Sequence, residues 1–222
     1  VTGGGAYCSG GAGVHIFLNS STIGVNYQLM FGSTPVGAPV AGTSASIDFG
    51  LFTNAGTYTV VATNATTSCV NNMSGSVTIS INPLPTTFAM TGGGGFCAGG
   101  TGVPVGLSGS ATGTSYQLLL GGSPVGAPLT GTGSPLSFGT FNTAGTYTVL
   151  ATNTTTGCTA AMSGTSVVVV NPLPTVYSVA STSSTYCSGG GGVNIWLNNS
   201  DAGITYQLYN GSTTVGSALS GT

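Results

Sequence analysis

No lysine and no arginine occurs in the 222 residues, and the only acids are Asp48 and Asp201, beside a single histidine, His15. An ordinary soluble domain is about a quarter charged, so most side-chain chemistry is missing. Without cations nothing can clamp phosphate or displace counterions from a nucleic acid, which excludes DNA and RNA as partners. A basic membrane-surface patch is excluded on the same ground. Long apolar runs are lacking too. The longest β-branched run, Val167 to Val170, fits a strand and falls far short of the roughly 20 residues a spanning helix needs, so no membrane insertion of this segment is expected.

What is present is repetition. Cys8 and Cys69 are separated by the same interval as Cys97 and Cys158, and Cys187 opens a third copy. YCSGGAGVHIFL at Tyr7 returns as FCAGGTGVPVGL at Phe96 and YCSGGGGVNIWL at Tyr186. Tyr27-Gln28-Leu29, AGTYTV at Ala55 and NPLP at Asn82 recur in step. The interval from Cys8 to Cys97 is too long for a solenoid coil of about 20 to 50 residues and suits one small domain per repeat. The expected units are 1–85, 86–174 and 175–222, the last being the N-terminal part of a repeat. The 40 glycines and 10 prolines approach a low-complexity composition, but the copied apolar alternation between them argues for packed units.

Within a repeat the alternation has period two, with no helical stripe of more than two turns. Val14, Ile16 and Leu18 share one face, as do Val103, Val105 and Leu107, and Val193, Ile195 and Leu197. Tyr27, Leu29 and Phe31 follow, then a short Val36-Gly37 segment, Ile47 with Phe49, Tyr58 with Val60 and Ala62, and finally Ile79 with Ile81. About seven short strands per repeat, separated by regular turn signals, predict an all-β fold: tandem antiparallel sandwiches of the immunoglobulin-like kind. Tyr58 and Tyr147, each two residues after a Gly at the start of a strand, are the expected tyrosine corners. Val60 and Val149 stand where an antibody domain has its second cysteine, so the usual bridge between sheets is absent.

Equal spacing in two copies predicts the disulfides Cys8–Cys69 and Cys97–Cys158, with Cys187 lacking an intrachain partner. Each would add roughly 4 kcal/mol in the loop-closure model, which matters for a small core, and would point to an oxidising, extracellular location. The NPLP segments are stiffened by proline and predict semi-rigid joints in an end-to-end rod. Each bridge would lock the residues between its two cysteines against extension.

Taken together, YCSGG with GVxIxL, YQL, AGTYTVxATN, TGC and VNPLP resemble the immunoglobulin-like repeats of giant secreted surface proteins of Bacteroidetes, including adhesins of the gliding-motility type. The resemblance covers essentially the whole chain. It implies cell-surface or extracellular placement, export by the type 9 secretion pathway, and a role in adhesion or as a stalk.

Candidate reactive groups fail the test of repetition. His15 is replaced by Pro104 and Asn194; Asp48 aligns with Ser137, and Asp201 with Thr22. No catalytic residue is assigned, because a hydrolase needs a nucleophile, a base and an orienting group. No metal or cofactor site is assigned: calcium takes several oxygen ligands with carboxylates among them, and the cysteines come singly rather than in zinc-binding pairs. The candidate surface contacts are Phe17 and Trp196, outward on the same strand, with Gly106 at that position in the second copy. Such aromatics either pack on a neighbour or meet a sugar. The reading is a non-enzymatic extracellular repeat segment acting as stalk or spacer of a surface adhesin or filament. Its partners are neighbouring repeats, with other copies in a fibre or surface glycans as further candidates. The alternative is a carbohydrate- or surface-binding module.

Overall fold

The computed structural model describes residues 1–222 and contains strands and turns but no helix. In the first repeat the glycine pair Gly3-Gly4, with φ of 90° and 66°, breaks the opening strand in two. The first piece, β1 (Thr2–Gly3), and the second, β2 (Gly5–Cys8), join different sheets. They are followed by β3 (Val14–Leu18), β4 (Val25–Phe31), β5 (Thr34–Ala41), β6 (Ile47–Phe52), β7 (Gly56–Asn64), β8 (Val70–Asn72) and β9 (Val77–Asn82). One sheet has the order β1-β3-β6; the other runs β2-β9-β7-β4-β5, with β8 also on β7. All pairings are antiparallel except β2 with β9, which is parallel.

The second repeat copies this strand for strand: β10 (Met90–Gly92), β11 (Gly94–Cys97), β12 (Val103–Leu107), β13 (Thr114–Leu120), β14 (Ser123–Thr130), β15 (Leu136–Phe141), β16 (Gly145–Asn153), β17 (Thr159–Ala161) and β18 (Ser166–Asn171). Its sheets are β10-β12-β15 and β11-β18-β16-β13-β14, with β17 on β16. Residues 175–222 supply β19 (Val179–Ser181), β20 (Ile195–Leu197), β21 (Thr205–Asn210) and β22 (Thr213–Ser220), paired as β19-β20 and β21-β22.

Alternation explains the two cores. In the first, Ile16, Leu18 and Ile47 from one sheet meet Tyr27, Leu29, Tyr58, Val60, Ala62, Val77 and Ile79 from the other. The second is built from Val105 and Leu107 against Tyr116, Leu118, Tyr147, Val149, Ala151, Met162 and Val168. The chain is therefore a tandem of β-sandwiches.

Four details differ from the sequence expectation. Each complete repeat has nine strands rather than about seven, and one pairing is parallel, because the opening strand is split between the two sheets and a short strand, β8 or β17, is added to β7 or β16. The Val36-Gly37 segment is part of the eight-residue edge strand β5. Ile81 is exposed and Val77 takes its place inside with Ile79; Ile81 stands one residue from the end of β9. Ile195 is half exposed, since residues 175–222 hold counterparts of β1, β3, β4 and β5 and leave that inward face uncovered.

The YQL motif acts within the second sheet. The ladder between β4 and β5 slips between Tyr27 and Leu29, and the Gln28 side-chain amide fills the gap by donating to the carbonyls of Leu29 at 2.9 Å and Val36 at 3.0 Å. Gln117 and Gln207 do the same. The adjoining tyrosine hydroxyl accepts a backbone N–H from the turn before the strand, Thr22 to Tyr27, Ala111 to Tyr116 and Asp201 to Tyr206. Each repeated polar residue thus closes a backbone position that the sheet leaves unpaired.

Candidate functional site: a disulfide between repeats

CSGG forms a tight turn. The Gly11 N–H donates to the Cys8 carbonyl at 2.9 Å, and Gly10 at the third position has φ of 81°, a left-handed value glycine adopts freely. The Ser9 N–H donates to Asn82 O at 2.9 Å, and Cys8 lies in register with Asn82. Cys8 is thereby held at the end of the sandwich where β9 leaves into NPLP.

The second cysteine sits in a different turn. Asn153 Oδ1 accepts the N–H groups of Thr155 and Thr156, each at 3.0 Å, and the Asn153 N–H donates to Cys158 O at 2.8 Å. This side-chain-capped turn follows β16 and holds Cys158 at the end of the sandwich where the chain enters the repeat.

These turns decide the pairing. Tyr58 of β7 is in register with Val77 of β9, and the Asn64 N–H bonds to Cys69 O. Counting along the strands, Cys8 and Cys69 stand about 11 residues apart, roughly 35 Å at the rise of a β-strand. A disulfide needs Cα atoms within about 7 Å. The expected bridges Cys8–Cys69 and Cys97–Cys158 do not form, because each would have to span its own sandwich from end to end. Instead Cys8 is bonded to Cys158, with Cα atoms 5.6 Å apart, and Cys69, Cys97 and Cys187 are free and exposed.

Cys158 is 1% exposed, whereas its equivalent Cys69 is open to solvent. Pro85 of the first linker is buried and Pro174 of the second is exposed. No hydrogen bond crosses from residues 1–85 to residues 86–174, and the cores are separate. The disulfide and the linker are the covalent ties between the two sandwiches, and Cys158 and Pro85 are buried where they meet.

The other candidate residues are placed as follows. Tyr58 and Tyr147 are buried, and their hydroxyls donate to the carbonyls of Asn54 and Thr143, both at 3.0 Å. Burial, with a smaller contribution from Tyr7, raises the Tyr58 phenol above its ordinary range. Phe17 lies half-buried, stacked on the His15 ring at 5.5 Å. At the equivalent Gly106 a Cβ would meet Leu136 O at 2.6 Å, so the second repeat has no room for a side chain there. Trp196 is 46% exposed and borders an open groove of about 610 Å³ with Val179, Ile195, Tyr206, Leu208 and Leu219. That groove is the uncovered inner face of residues 175–222.

His15 and Asp48, separate in the sequence reading, meet as an exposed hydrogen-bonded pair, with His15 Nδ1 2.9 Å from Asp48 Oδ2. The histidine hydrogen bond, and then the Gly50 N–H, hold the Asp48 carboxyl below the ordinary carboxylate range. Asp201 is lowered by the Tyr177 hydroxyl at 2.5 Å and by Thr175, and Tyr177 is raised chiefly by the same bond. The sequence reading also missed a buried serine staple. Ser21 Oγ donates to Ala45 O and accepts from the Thr43 N–H, and Ser110 repeats this with Ser134 and Thr132. The signal was an S-x₂₁-T spacing present in all three copies, Ser200 and Thr222 included.

No protein-family model matches the sequence, and no curated protein matches it. Among solved structures, murine CEACAM1b is 12% identical, with 75% of this chain and 96% of that chain covered at a TM-score of 0.35. The fibronectin(III)-like modules of Clostridium thermocellum CbhA are 12% identical, covering 75% and 90% at 0.36. Immunoglobulin domains 1-4 of Sidekick-1 are 11% identical, covering 80% and 48% at 0.30. The class defined by the strand order and paired cores is a tandem of immunoglobulin-like β-sandwiches. The particular mark of this chain is a disulfide that runs from one sandwich to the next.

Proposed function

We propose that this chain is a non-enzymatic structural segment of an extracellular surface array, a stalk that holds other parts of its protein at a distance. The observation that carries this reading is the Cys8–Cys158 bond, placed at the only joint between two complete repeats. A covalent tie beside a proline-stiffened linker restricts bending, which a spacer needs and an isolated binding module does not. Neutral Ser, Thr and Asn faces hydrate without dependence on salt. A disulfide of this kind supports an oxidising, extracellular setting. The repeat motifs support kinship with the surface adhesins of Bacteroidetes and export by their type 9 pathway, with repeat units at 1–85, 86–174 and 175–222.

Small-angle scattering tests the reading. An extended, narrow distribution of shapes is expected, and a folded-back particle would overturn it. The sugar-binding alternative draws less support, because the outward aromatic is half-buried at Phe17 and absent at Gly106. Binding of the chain on a glycan array would put that alternative ahead.

A further inference from the structure

The bond between Cys8 and Cys158 uses the first cysteine of one repeat and the second cysteine of the next, and both presenting turns exist again without a partner. Cys97 is held as Cys8 is. Gly100 N–H donates to Cys97 O at 2.9 Å, Ala98 N–H to Asn171 O at 2.8 Å, Gly99 has φ of 83°, and Cys97 is in register with Asn171. Cys69 is held as Cys158 is, with Asn64 Oδ1 accepting the N–H groups of Thr66 and Thr67 and Asn64 N–H donating to Cys69 O at 2.9 Å. The joints carry the same NPLP. What differs is cover: Cys158 and Pro85 are buried at the bridged joint, while Cys69, Cys97 and Pro174 are exposed.

We propose that Cys97 and Cys69 are half-sites for the same bond. Cys97 takes the second cysteine of a complete repeat stacked after the second sandwich, and Cys69 takes the first cysteine of a repeat stacked before the first. Disulfides then run between successive repeats as a ladder. The partner is chemically a further copy of this repeat. Each rung joins two thiols into one S–S bond and passes two electrons and two protons to a disulfide oxidant, such as oxidised glutathione or an oxidised dithiol oxidoreductase, which leaves as thiols. This pairing follows from the turns and does not depend on whether the array serves as a stalk.

The test uses the whole chain with a second copy of residues 86–174 inserted between Pro174 and Thr175, folded in a glutathione redox buffer. The ladder predicts two bridges and three free thiols, those of Cys69, the copied first cysteine and Cys187. Pairing within repeats predicts three bridges and a single thiol, and a ladder that does not continue leaves five thiols; either count overturns the proposal. Chymotryptic peptides mapped without reduction identify the rung. Replacing the copied first cysteine by serine should keep it, and Cys97→Ser should abolish it while the Cys8–Cys158 peptide persists and so reports folding. A rung that survives Cys97→Ser would overturn the proposal.

Discussion

A buried phenol that keeps its hydroxyl bonded is worth more than its ring. Tyr147→Phe leaves the ring packed but strips the carbonyl of Thr143 of its partner, so a loss of roughly 0.5 to 1.5 kcal/mol is expected. Chemical denaturation of the variant against the parent measures it, and an unchanged midpoint would remove the tyrosine corner from the stability argument. Titration is confined to the pH extremes for the groups whose environment shifts them. Asp48 and Asp201 are lowered in the fold, so their contribution is present above the unfolded carboxylate range and is lost as pH falls through the folded values. Tyr58 and Tyr177 are raised, so their contribution holds below the unfolded phenol range near 10 and is lost as pH rises beyond it. Thermal melts across pH should fall at both ends, and Asp48→Asn should flatten part of the acid limb.

At the scale of single elements, the turn that presents the first cysteine depends on a backbone conformation rather than on packing. A Cβ at Gly10 would meet open space, yet its φ of 81° is strained for a β-branched residue. Gly10→Val should therefore cost about 1 to 3 kcal/mol through the turn alone. Because Cys8 is aimed by that turn, the variant should also form the bridge to Cys158 more slowly. Thiol titration during oxidative folding reads this, and an unaltered rate would mean that β2 alone positions the cysteine. The flanking elements account for this division of labour: β2 is parallel to β9 and fixes the level of Cys8, while the glycine turn fixes its direction.

For the whole molecule, the bond makes two independent cores mechanically continuous. A force applied at the chain ends bypasses the 150 positions separating Cys8 and Cys158, so it cannot extend them while the bond is intact. Single-molecule pulling should show a fully extended length shorter by roughly 500 Å, at 3.3 to 3.6 Å per residue, in the oxidised than in the reduced chain. Equal lengths would sink the bridge. Bridges within repeats would hide a smaller share, in two separate portions. Cys158→Ser should leave both sandwiches folded, since no core residue other than that cysteine is touched, but it should broaden the distribution of shapes in small-angle scattering by freeing the joint.

The period, the strands and most core positions were legible in the sequence because they are local. Alternation at Ile16, Leu18, Tyr58 and Val60 is set by a pleat that turns over at every residue, and the AGTYTV turn announces the tyrosine corner within a few positions. The Gln28 and Ser21 bonds were less legible, since each closes a gap that exists only once two distant strands have paired. The partner of Cys8 could not be read from spacing at all. In a periodic chain, pairing within a repeat and pairing to the next repeat both yield one constant interval, so regularity favours neither. Tertiary structure decided it through strand direction: β2 runs parallel to β9 and carries Cys8 to the exit end, while β7 runs against β9 and carries Cys69 to the entrance. Stacking the sandwiches then brings one repeat's exit against the next repeat's entrance, where Cys8 meets Cys158.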